Sequence, residues 1–74
     1  LVEKSDPLTN FTVHKINETR SLVIAINNTE EEIFENFKLN GVSIGKVYYG
    51  SIDSATRKAT LAPADGLIFE IIRN

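Results

Sequence analysis

The sequence predicts an all-β domain, an antiparallel two-sheet β-sandwich of Greek-key type, on three observations. Short runs rich in Val, Ile, Phe, Thr and Tyr place apolar residues at every second position. Clusters of Asn, Gly, Pro and Asp interrupt these runs about every ten residues, the spacing of sandwiches and barrels. Leu22 to Ile26 is apolar without alternation, which describes a strand covered on both faces or one whose outer face meets another body.

The elements follow in order. Residues 1 to 10 mix charge, Pro7 and polar side chains and read as a lead-in. Asn10 to Ile16 forms a first strand, with Phe11 and Val13 on one face and Thr12 and His14 on the other. Asn17-Glu18-Thr19 is a turn, because short polar side chains satisfy turn backbone locally, so a hairpin leads into the strand Leu22 to Ile26. Asn27-Asn28-Thr29 ends that strand, and Glu30, Glu31 and Glu32 are expected where the chain surfaces.

Glu30 to Leu39 fits two readings. Thr29 and Glu32 have the spacing of a capping box ahead of a helix carrying Ile33, Phe34 and Phe37 on one stripe. As a strand, Ile33, Glu35 and Phe37 share a face opposite Phe34, Asn36 and Lys38. The strand is preferred, since about ten residues make a marginal helix and the flanking sequence is β-patterned. Asn40-Gly41 then has hairpin-turn chemistry, and Val42, Ile44, Val47, Tyr48 and Tyr49 supply strand material punctuated by Gly45 and Gly50. Residues 51 to 58, SIDSATRK, are an exposed connection. Ala59 to Ala62 is a short strand, Pro63 to Gly66 a turn, and Leu67 to Ile72 a final strand with Leu67, Phe69 and Ile71 on one face.

Composition bounds the function. Seventy-four residues are one small domain, and without cysteine it has neither disulfides nor thiolate metal sites, so the apolar core must hold it. The chain contains no methionine and opens at Leu1, and is therefore expected to be a piece of a longer protein. No apolar run approaches the roughly 20 residues that span a bilayer, so no membrane partner is expected. With eight Lys and Arg against ten Asp and Glu and no basic cluster, nucleic acid is not expected either.

Candidate chemistry is sparse, and neither a catalytic residue, a cofactor nor a metal site is expected. Glu30, Glu31, Glu32 and Glu35 lack the glycine-turned loop of a calcium site and read as a solvated charged edge. His14 is the only histidine, and Ser51 and Ser54 have no base beside them. Asn10, Asn17 and Asn27 each begin an N-x-T triplet, the acceptor pattern for glycosylation, which turn chemistry explains more cheaply. Tyr48 and Tyr49 are the site candidates, for contact with a sugar ring or with a neighbouring domain, and at most one of two adjacent strand residues faces a core.

The stretch FTVHKINETRSLVIAINNTEEEI and the ending TLAPADGLIFEI carry a resemblance that covers nearly the whole chain. They resemble the C-terminal β-sandwich domain of the α-amylase superfamily of glycoside hydrolases, in its oligo-α-glucosidase and cyclomaltodextrinase branch. The likeness rests on an apolar strand ending in asparagine, small polar and acidic residues at Leu22 to Glu32, and on the step Leu61-Ala62-Pro63 before the apolar strand Leu67 to Ile71. The resemblance implies a non-catalytic domain that braces a catalytic barrel of the same chain, with α-glucan as a second candidate partner. The family's catalytic carboxylates lie in the barrel, so none maps onto these residues. The chain departs from the pattern in its short N-terminal end and its polar SIDSATRK loop. An independent carbohydrate-binding or immunoglobulin-like interaction module is the alternative.

Overall fold

The computed structural model describes residues 2–3 and 9–74 of the chain, so most of the predicted lead-in lies outside the described residues. The described residues form eight strands and no helix: β1 (Val2–Glu3), β2 (Thr9–Lys15), β3 (Arg20–Asn27), β4 (Ile33–Asn36), β5 (Lys38–Leu39), β6 (Val42–Tyr49), β7 (Lys58–Leu61) and β8 (Gly66–Arg73). Every ladder is antiparallel. Strands β2-β3-β8-β6 make a four-stranded sheet, while β1 pairs with β5 and β4 with β7 in two-stranded sheets. The all-β antiparallel class expected from the sequence therefore holds, with the strands shared among three sheets.

The β2–β3 hairpin sets the register of the large sheet. Asn17 Oδ1 accepts hydrogen bonds from the backbone N–H groups of Thr19 and Arg20, both at 2.9 Å, which fixes the turn without glycine. Val13 then lies opposite Val23, and Val23 opposite Phe69. Because paired residues share a face, one face of the sheet carries Val23, Ala25, Leu67, Phe69 and Ile71, all at most 1% exposed.

The segment Glu30 to Leu39 is extended, as preferred. Its alternation is complete: Ile33, Glu35, Phe37 and Leu39 are buried and Phe34, Asn36 and Lys38 exposed. Phe37, between β4 and β5, stacks edge-on with Phe69 of β8 at 5.5 Å and with Phe11 of β2 at 6.4 Å. This aromatic row joins the four-stranded sheet to the β4–β5 segment, each contact adding about 0.5–1.5 kcal/mol beyond its buried area. Ile33, Leu39, Ala59 and Leu61 complete the same core.

Two local expectations are corrected, and a third is sharpened. Asn40-Gly41 makes a tight turn, with Gly41 at φ +72°, yet it joins strands that pair elsewhere: β5 lies beside β1, and β6 beside β8. The turn thus carries the chain between sheets instead of closing a hairpin. Asn27 ends β3 and opens the turn as expected, its Oδ1 accepting from Thr29 N–H, and it is at the same time a fully buried interior residue. Glu35 leaves the solvated edge assigned to the glutamates, since strand alternation turns it inward at 2% exposure while Glu30, Glu31 and Glu32 stay in water.

Candidate functional site

The second face of the four-stranded sheet is the candidate site. It is built from the alternate residues of the two central strands. Register places Leu22 opposite Glu70, Ile24 opposite Ile68 and Arg20 opposite Ile72. All four of these aliphatic residues are half-buried, although the core lies on the other side of the sheet. Ile26 is 42% exposed because its register partner is Gly66, which has no side chain to shield it. The apolar runs LVIAI and LIFEII thus each supply two faces, one inside the core and one outside it.

Glu70 interrupts this outer face. Its side chain is only 7% exposed, and its charged neighbour is Arg20, whose Nη1 stands 3.8 Å from Oε2, beyond hydrogen-bonding distance. The carboxylate lies across β6 above Gly45. A β-carbon at that position would sit 2.6 Å from Glu70 Oε1 and 2.8 Å from Ile72 Cδ1, so glycine is what lets the acid fold flat onto the sheet. Gly45 stands within a register shift between Ile44 and Val47, where β6 bulges against β8.

The two tyrosines follow from a second shift. Between Val47 and Tyr49 the register against β8 slips again, so that Val47 pairs with Phe69 and Tyr49 with Ile68. Neither Tyr48 nor Tyr49 reaches the core; they are 52% and 56% exposed. Tyr49 shares the outer face with Ile68, and its hydroxyl donates to Asp65 Oδ1 at 3.1 Å. That hydrogen bond first, and the negative charge of Asp65 second, hold the Tyr49 phenol above its ordinary pKa. The Lys46 ammonium stands 5.0 Å over the Tyr48 ring, within cation–π range, and occupies one face of that ring.

The other candidates are structural. His14 sits on the exposed β2 strand face, where Nε2 and Thr12 Oγ1 are 2.9 Å apart. Ser51 and Ser54 are exposed in the connection after β6, where Asp53 organises the chain by accepting from the N–H groups of Ala55 and Thr56 at 2.9 and 3.2 Å. Those two donors, Thr56 foremost, hold the Asp53 carboxyl below its usual range. Among the described residues, no three His, Cys, Asp or Glu side chains gather as metal ligands.

Sequence reasoning missed Asn27. Its Nδ2 donates toward the carbonyls of Glu31, Leu61 and Ala62 at 2.7, 2.9 and 3.1 Å, and its Oδ1 accepts from Thr29 N–H and Thr29 Oγ1. One amide therefore ties the end of β3 to the following turn and to the end of β7. With its nitrogen committed and its surface buried, Asn27 cannot serve as a glycan acceptor, whereas Asn10 and Asn17 are exposed. The N-N-T triplet carries no signal that separates this interior role from a surface turn. No protein-family model, curated protein or solved structure matches the chain.

Proposed function

We propose that this chain is a non-catalytic docking domain, the C-terminal β-sandwich of an α-glucan-degrading glycoside hydrolase, whose work is to cover and brace the catalytic barrel. In this reading the β4–β7 and β1–β5 ladders act together as a second layer over the large sheet. The order β2-β3-β8-β6, with β8 inserted between β3 and β6, is compatible with Greek-key connectivity.

The observation that carries the reading is the apolar outer face. A solvated antiparallel sheet normally alternates apolar and polar residues, yet Leu22, Ile24, Ile26, Ile68 and Ile72 face away from the core. Strands of about eight residues in a four-stranded sheet give a face of about 500 Å². The two central strands that carry the apolar residues make up about half of it, beside the polar Asn10, Thr12 and His14 of β2, the size of an apolar centre within a contact between domains. A brace needs such a face and needs no catalytic group.

The test is the reading frame preceding Leu1. A (β/α)-barrel with its own acidic catalytic residues supports the proposal, and an unrelated region there overturns it. The exposure of Tyr48 and Tyr49 favours a second reading, a carbohydrate-binding module. Titrating the domain with maltoheptaose while following tyrosine fluorescence separates the two: saturable binding centred on either ring favours the module, and silence favours the brace.

A further inference from the structure

We infer that the surface docking on this sheet sets one cationic side chain, a guanidinium or an ammonium, against Glu70, and that it belongs to an adjoining domain and not to a second copy of this chain. The inference rests on the outer face being a docking face and adds the chemistry of what docks there.

The argument begins with the cost of the acid. A carboxylate that is almost wholly covered by aliphatic neighbours is unfavourable unless it is paired and hydrogen-bonded. Glu70 has Leu22 beside it on β3, Ile68 and Ile72 on the same face of its own strand, and the bare backbone of Gly45 beneath it. Arg20 stands at 3.8 Å with its own side chain 53% exposed, close enough to attract but too far to satisfy the acid. A body laid over this face would strip the remaining water from Glu70. A docking surface that brings a donor of its own adds to what Arg20 supplies, and a cation forms the stronger, charge-assisted hydrogen bond.

Size then argues against a second copy. Two such faces packed about a two-fold axis would bring two Glu70 carboxylates with two Arg20 side chains, so charge alone is balanced there and area decides. The face of about 500 Å² falls short of the roughly 800 Å² per partner of a stable complex between separate molecules. A neighbour tethered in the same polypeptide needs less, because its effective concentration is high.

The experiment titrates the 74-residue protein with three probes of equal chain length, n-hexylguanidinium, n-hexanol and hexanoate, and follows backbone amide shifts. The guanidinium is expected to perturb Leu22, Ile24, Ile68, Glu70 and Ile72 and to bind about fivefold or more tighter than the alcohol, with hexanoate weakest. Glu70→Gln should abolish the preference for the cation, and Arg20→Gln should strengthen it by removing a competitor, an effect that mere damage to the fold would not produce. Equal binding of alcohol and guanidinium at this face would overturn the cation while leaving the docking face standing. Shifts confined to other surfaces would overturn both, and sedimentation showing a dimer through this face would overturn the choice of partner.

Discussion

The two faces of strands β3 and β8 are written in the same alphabet and have different fates. Val23, Ala25, Leu67, Phe69 and Ile71 are sealed against Phe37, Leu61 and the rest of the core, while Leu22, Ile24, Ile68 and Ile72, one residue out of step, are half-open to water. Aliphatic side chains stand on both sides, joined on the outer one by Arg20 and Glu70. What differs is cover: the chain folds its own β4, β5 and β7 over the first face. An apolar strand face therefore records a demand for burial without saying which part of a protein meets it.

Adjacent positions on β8 sharpen the contrast most. Phe69→Ala removes a fully buried ring that touches Phe37, and should cost about 3–5 kcal/mol. A chain of this length has on the order of 4–11 kcal/mol in total, so the variant should be largely unfolded or close to it in a urea titration. Ile68→Ala, one residue away on the half-open face, should cost only about 1 kcal/mol in the isolated domain. Equal losses at the two positions would mean that the outer face is already packed within this chain, and the docking proposal would lose its footing.

How much of this was legible follows the same division. Period-two alternation gave the strands, the inward set Leu67, Phe69 and Ile71, and the extended character of Glu30 to Leu39, because side-chain direction in a strand is a local property. Pairing is not local. That Asn40-Gly41 crosses between sheets, and that β8 lies between β3 and β6, depends on strands far apart in sequence. The tyrosines show the limit within a single strand. Their exposure comes from two register shifts in β6, and only Gly45 hinted at the first. In sequence Glu70 is one more residue of a strand, because its burial depends on Gly45 and Leu22 from two other strands.

The polar end of the inner face offers a second way to break the comparison. Asn27 continues the inward series Val23 and Ala25, but it closes the core with hydrogen bonds where those two close it with methyl groups. Asn27→Ala would leave the carbonyls of Leu61 and Ala62 and the Thr29 donors without their partner, at a cost of about 2–4 kcal/mol. Asn27→Asp should be worse, because a carboxylate would face those carbonyls as a second acceptor. Hydrogen exchange checks the placement of the effect: amides at the end of β3 and the end of β7 should lose protection together. If Asn27→Ala melted within a degree or two of the parent, the inner face would owe its order to apolar packing alone.

The smallest effect belongs to the rim of the outer face, where Tyr49 meets Asp65. The Tyr49 phenol titrates above its ordinary value because Asp65 accepts its proton in a hydrogen bond and repels the phenolate. A raised pKa in the folded state means a contribution to stability that is fully present below the unfolded tyrosine value, about 10, and is lost as pH rises through the folded one. In a Tyr48→Phe background, ultraviolet titration reads Tyr49 alone. Adding Asp65→Ala, which removes both the acceptor and the charge, should move its midpoint down toward the ordinary value, with little change in stability at neutral pH because the pair is exposed to solvent. A midpoint that stayed high without the Asp65 carboxylate would mean that the neighbouring half-open face, and not this residue, holds the proton on Tyr49. The boundary between the half-open face and water would then have to be drawn beyond Tyr49.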